Sequence, residues 1–228
     1  MKFMTELSLK NAYNSYKKDR RILYGGSQML SPDKAIRKCG CGLIAAADLF
    51  FYMHRHTEGC RCPLFDRFDG LEHIETADFI PLYRSLAAYF AIVPPFGING
   101  MMLALGINLF FRKYDYPYIA RWGVAPSMLW YRIGEMLDND LPVIITVGKD
   151  FPRIWQKHST DLYSETASGH VKSSKVRAHF MTLTGLDESW MHVSSWGRRY
   201  SIKRSDYEEF IKDHSSSLLC NIISLRKA

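Results

Sequence analysis

What the 228-residue chain lacks narrows it first. The opening segment, MKFMTELSLKNAYNSYKKDRR, has no apolar core of the kind a secretory signal needs, so no signal is expected. No apolar run reaches the roughly 20 residues of a membrane span. Residues 43–53 are too few, and 86–111 are interrupted by Pro94-Pro95 and Asn99-Gly100. The cysteines number five, an odd count too sparse for a disulfide scaffold, which points to free thiols in a cytoplasmic, reducing setting. Fixed-period repeats, low-complexity linkers and basic runs interleaved with aromatics are all missing, so no nucleic-acid partner is expected. With 47% hydrophobic and 23% charged residues, what remains is an ordinary globular chain able to bury a core. Part of the net charge of +7 sits in Lys17, Lys18, Arg20 and Arg21. The organisation expected is a solvated basic arm over 1–24 followed by one domain over 25–228.

Within that domain the rhythm changes midway. Leu43 to Met53 is apolar nearly all round, as in a helix buried on most faces. Segments 76–91 and 99–112 also read as helical. Later come short strand candidates at 118–124 and 142–147, with a helix over 126–137 between them. Three runs with strand-like alternation follow at 179–186, 190–196 and 198–204. Ser205 and Glu208 carry an S-x-x-E capping signature opening a helix, and 218–225 offers a closing strand. The polar stretch 156–175 reads as one long loop. Helices first and strands afterwards predict an α+β protein with a helical lobe and a sheet lobe.

The stretch RKCGCGLIAAADLFFYM, residues 37–53, poses the functional question, because Cys39 and Cys41 open an apolar helix broken only by Asp48. Cys39, Cys41, His54, His56, Cys60 and Cys62 suggest a zinc site at first sight. A helix over 41–53 would hold its two ends roughly 18 Å apart, too far to share one ion. A site from His54, His56, Cys60 and Cys62 alone stays open, although C-x-C misses the usual structural spacing; no metal is expected. A disulfide between the two pairs meets the same distance problem. A nucleophile fits the local chemistry: Gly40 and Gly42 allow close approach to Cys41, and helix N–H groups aimed at the sulfur favour the thiolate. Cys39, outside the first turn, is expected to be an exposed or half-buried bystander.

A nucleophile needs a base, and the base needs a group to orient it. His179 opens a predicted strand, and Ser194-Ser195-Trp196-Gly197 lies on the next one. Upstream, Gln28 offers an amide where an oxyanion donor could sit. This ordered set of Gln28, Cys41, His179 and Ser-Trp-Gly resembles the papain-like cysteine peptidases, including the bacterial double-glycine (bacteriocin-leader) peptidase branch, over about residues 25–200. The resemblance implies a two-lobed fold, with the cysteine on a helix of one lobe and the histidine on the antiparallel sheet of the other. It implies Cys41 as nucleophile, His179 as general base, Gln28 as oxyanion donor, and Ser194 where relatives hold Asn. Trp196 would shield that contact, and Gly40 and Gly42 would border the substrate. Asp187, between the two strands, is the rival orienter. The function implied is hydrolysis of a peptide or amide bond without a cofactor. Acyl or aminoacyl transfer through the same thioester, or a silent binding module, are the alternatives.

Overall fold

The apolar run after Gly40 folds as a helix packed between other helices and the large sheet. The computed structural model describes residues 7–94 and 96–228; Pro95, half of the break expected there, and the first six residues of the basic arm lie outside them. In chain order come β1 (Leu7–Ser8), β2 (Ser15–Lys18), β3 (Arg21–Tyr24), α1 (Lys34–Cys39) and the central helix α2 (Cys41–His56). Then follow β4 (Ile74–Glu75), α3 (Thr76–Leu86) and α4 (Gly100–Lys113), the last capped by the Asn99 side chain. The second half holds β5 (Tyr118–Trp122), α5 (Leu129–Asp138), β6 (Val143–Val147), β7 (Thr160–Thr166), β8 (Gly169–Val176), β9 (His179–Leu186), β10 (Trp190–Ser195), β11 (Arg198–Lys203), α6 (Arg204–His214) and β12 (Ile222–Lys227). The expected α+β order, N-terminal helices before a C-terminal antiparallel sheet, is what the chain adopts.

The large sheet runs β5-β12-β6-β9-β10-β11-β7-β8, antiparallel throughout, with β1 continuing along β9 beyond the end of β6. A small second sheet pairs β2 with β3 and β4. Every residue of α2 from Gly42 to His54 is buried, between α3 and α4 on one side and β9 on the other. Phe50 stacks face to face on Phe110 of α4 at 3.7 Å, and Phe51 packs on Phe65 and Phe68. Burial on all faces explains why this helix shows so little amphipathic pattern in the sequence.

Two local expectations are corrected. Residues 156–175 are not one loop, since 160–176 forms the β7–β8 hairpin at the edge of the sheet. Both faces of an edge hairpin meet water over much of their length, so its polar composition masks the strand. The Ser205 capping box does not form either. Helix α6 begins at Arg204, and the Ser205 hydroxyl donates to Asp206 instead.

Lys17, Lys18, Arg20 and Arg21 are exposed, but the segment that carries them is anchored. Tyr13, Asn14 and Tyr16 are buried, and they converge on Asp48, the lone carboxylate inside α2. Asp48 Oδ1 accepts from the Tyr16 hydroxyl at 2.6 Å, and Oδ2 accepts from the Gly26 N–H at 2.8 Å and the Tyr13 hydroxyl at 3.3 Å. The Asn14 amide donates to the Asp48 carbonyl at 2.7 Å. A buried carboxylate with three donors is affordable; one without them would not be.

Burial pushes the Asp48 pKa from 3.8 up to about 6, against the lowering effect of Tyr16 and Gly26. The folded chain therefore keeps this proton to a higher pH than the unfolded chain does. Its contribution to stability is greatest below 3.8 and declines as the pH rises towards about 6, by an amount of order 3 kcal/mol. Asp48→Asn should flatten that slope. Denaturation midpoints of wild type and variant at mildly acidic and neutral pH provide the check, and parallel slopes would assign the effect to another group.

Candidate active site

The nucleophile candidate is placed by a splice between two helices. Gly40 closes α1 through its N–H to the Ile36 carbonyl at 2.7 Å and opens α2 by accepting from the Ile44 N–H at 3.0 Å. Its φ of −88° suits any residue, so the need for glycine is steric: a Cβ there would lie 2.5 Å from the Ile36 oxygen. A Cβ at Gly42 would meet Ile98 at 2.7 Å. Both glycines serve helix packing, and neither is among the residues lining the cavity described below.

Cys41 thus occupies the first turn of α2. Among the five cysteines, all free thiols, it alone is half-buried and the other four are buried. Cys39 ends α1 and is buried beside Gly97, contrary to the exposed or half-buried bystander expected. The thiol pKa of Cys41 is raised by burial, which outweighs the lowering effect of the Phe180, Gly42 and Cys41 backbone N–H groups. The expectation of a helix-stabilised thiolate is corrected by this balance. The N–H groups are in place, but the desolvation of the sulfur is larger.

His179 opens β9, opposite Val147 of β6. Its Nε2 lies 2.8 Å from the Ser195 hydroxyl, and the Trp196 ring covers the imidazole at 4.7 Å between centroids. Burial lowers the His179 pKa to about 4, and no carboxylate counters it. Trp196 and Gly197 form the two-residue turn between β10 and β11, with φ of +51° and +76°, the left-handed pair that a tight hairpin turn requires. For a tryptophan that backbone is costly, and its position over the imidazole is the feature it secures.

The partner of His179 is Ser195, not Ser194. Ser194 pairs with Thr182 across β9 and β10 and shares its face, turned towards Asp48 and Gly25, where its hydroxyl donates to the Tyr24 carbonyl at 2.9 Å. One residue further along, Ser195 falls on the opposite face with Met181 and His179. Asp187 is not the orienter either. It lies at the far end of β9, roughly 25 Å along the strand from His179 at 3.3 Å per residue. There its carboxylate accepts from the Ser189 and Trp190 N–H groups, both at 2.7 Å, and faces His192.

Gln28 is buried in the turn following Ser27, and its amide donates to the Arg37 carbonyl at 2.8 Å. One amide hydrogen is thereby used to fix the side chain, and the other remains for a ligand. Cys41, His179, Gln28, Asp48, Ser194, Ser195 and Trp196 all line one narrow cavity beside α2 and the ends of β9 and β10. Cys41 and His179 both line it, with no hydrogen bond between their side chains among the described residues.

Of the alternative metal ligands, His54 is engaged elsewhere. His54 Nδ1 accepts from the Cys62 N–H at 3.1 Å and Nε2 faces Asp69 at 3.0 Å, which leaves no lone pair for an ion. Burial pushes the Cys60 and Cys62 thiols up to about 12 and about 11.

The cavity therefore defines a class of site: a thiol at a helix N-terminus, an imidazole on a facing strand and an amide donor beside them. No protein-family model matches the chain, and no curated protein matches it. Among solved structures it is similar to a chain provisionally described as a C39-like peptidase from Bacillus anthracis, with a TM-score of 0.45 and 10% sequence identity, covering 99% of this chain and 100% of that one.

Iodoacetamide at neutral pH should alkylate Cys41 before the four buried cysteines. Because the thiol is held protonated, the rate should rise about tenfold per pH unit until the thiol pKa is passed. Peptide mass mapping after timed quenching reads both. First labelling of Cys39, or a rate flat with pH, would contradict this account.

Proposed function

We propose that the chain is a papain-like thiol hydrolase that cleaves a peptide or amide bond. The observation that carries this reading is the shared cavity, in which Cys41, His179 held by Ser195, and Gln28 converge. With Nε2 occupied by Ser195, Nδ1 is the nitrogen left to exchange a proton with the thiol. Substrate entry places the acyl carbon against Cys41 Sγ. His179 takes the thiol proton as the S–C bond forms, and the imidazolium returns it to the departing amine as the C–N bond breaks. The free amide hydrogen of Gln28 and the backbone N–H of Cys41 stabilise the tetrahedral oxyanion. Water, deprotonated by His179, then attacks the thioester, and the thiol is regenerated. These steps call for no cofactor. The free state of all five cysteines agrees with a reducing, cytoplasmic location.

Both partners are neutral at rest, because burial raises the thiol pKa and lowers that of the imidazole. A hydroxyl at Ser195 orients the ring but adds no charge to favour imidazolium. Cys41→Ala should abolish turnover of a peptide library. Ser195→Ala should lower kcat about ten- to hundredfold, as loss of a positioning contact to a general base does, and Ser194→Ala should have less effect. Ser195→Asp should shift the acidic limb of the pH–rate profile upward, because an adjacent carboxylate raises the imidazole pKa. Intact mass after treatment with an epoxide-type cysteine-peptidase inhibitor offers the most direct test. A single adduct on Cys41 supports the reading; no adduct, together with activity in Cys41→Ala, would end it.

A further inference from the structure

Beside the cavity, the chain exposes apolar side chains that folding has had every opportunity to bury. The segment joining β6 to β7 reads GKDFPRIWQKH, residues 148–158, and its Phe151, Ile154 and Trp155 stand in solvent, Trp155 at 73% exposure. Slackness does not account for this, because the loop is clamped at its base. Buried Asp150 accepts from both the backbone N–H and the Nδ1 of His158, the latter at 2.5 Å, and Arg177 lies 3.4 Å from its other oxygen. The His158 ring stacks on His214 of α6 at 3.9 Å, and the Phe151 N–H donates to the His214 carbonyl at 3.0 Å. The stacked rings are only 14° from parallel, so their lone pairs do not converge on one ion. The cluster works as a clamp that holds the apolar tip outward.

A second apolar feature adjoins the loop through Lys149. Lys149 sits over the ring of Phe96, which is 73% exposed in the turn beside Cys39. From that turn α4 departs with Met101, Leu105 and Leu109 exposed at i, i+4 and i+8, along one face of the helix. The charges interspersed here have one sign. Lys149, Arg153 and Lys157 are exposed, Asp150 is buried, and residues 87–114 contain no carboxylate.

We propose that the 149–157 loop and the exposed face of α4 form a docking surface for an anionic lipid bilayer. Protruding aromatic and aliphatic tips enter the headgroup boundary while lysine and arginine meet the lipid phosphates. A peptide partner would ask for a groove in which to lie, and the loop presents a projection. Since Val147 pairs with His179 and Gly97 lies beside Cys39, docking in this way would bring the cavity close to the membrane surface. Vesicle binding needs no turnover, so this proposal stands or falls separately from the thiol-hydrolase reading.

The full chain is floated with vesicles of phosphatidylcholine alone and of phosphatidylcholine mixed with phosphatidylglycerol, at low and high salt. The expected result is co-flotation with the anionic vesicles that weakens as salt screens the contact. Ile154→Ser with Trp155→Ser should lower the partition coefficient by about tenfold or more, as loss of two buried apolar side chains predicts. Lys149→Glu with Arg153→Glu should lower it for the anionic vesicles only. Both pairs are exposed, so thermal midpoints equal to that of wild type confirm that the variants fold. Absence of flotation, equal binding to neutral vesicles, or unchanged binding by both folded variants overturns the proposal. So does concentration-dependent self-association that the Ile154/Trp155 variant loses without any vesicle binding, which would assign the surface to a second copy.

Discussion

The carboxylate of Asp48 is the contact on which the rest of the arrangement depends. It sits inside the central helix two turns beyond Cys41 and takes hydrogen bonds from Tyr16, Tyr13 and the backbone of Gly26. Those three donors lie in the N-terminal segment and in the strand exit that leads to Gln28. The same exit is tied to the sheet, because the Tyr24 N–H donates to the Gly197 carbonyl and the Gly197 N–H to the Gly26 carbonyl. One buried oxygen pair thus fixes the helix carrying the thiol, the segment carrying the amide donor and the turn carrying Trp196 in a common frame. The space is tight as well as polar. Gly25 has a φ of +74°, and any Cβ there would fall 2.0 Å from the Ser194 hydroxyl. A larger residue would push Ser194, and with it Ser195, away from the imidazole.

Two opposing electrostatic effects meet in the cavity, and magnitude decides between them. Helix N–H groups and the Phe180 N–H favour a thiolate, yet desolvation is larger and keeps the sulfur protonated. Desolvation alone keeps His179 neutral. A third group bearing a negative charge would favour the ion pair; the hydroxyl of Ser195 gives direction without charge.

Much of this was legible in the chain itself, for identifiable reasons. Helices α2 and α4 and strands β9, β10 and β11 announce themselves by their apolar content and residue alternation, although β9 is buried at every position and α4 exposes Met101, Leu105 and Leu109. The β7–β8 hairpin does not, since an edge hairpin wetted on both faces loses the apolar signal. Cys41, His179 and Gln28 could be named from residue type and order. The choice between Ser194 and Ser195 could not be made from the Ser-Trp-Gly pattern, because a one-residue shift reverses the face and only the pairing register shows which face holds the histidine. Asp187 could have been set aside from strand length alone, since a turn that closes a hairpin lies at the opposite end from the residue that opens it. Asp48 was visible as the lone charge in an apolar run; its three donors come from residues 13–26 and only the fold gathers them. The state of the thiol depends on burial, which no local motif records.

A cysteine kept protonated has a consequence for the lifetime of the molecule. Peroxide and related oxidants attack thiolate far faster than thiol, and each step up the sulfenic, sulfinic and sulfonic series takes a nucleophile closer to permanent loss. Cys41, with its proton retained in a narrow cavity that Trp196 also lines, is guarded against that chemistry. The other four cysteines are buried outright, so none of them presents a second thiol at the surface. The desolvation that holds the thiol protonated is thus also its preservative.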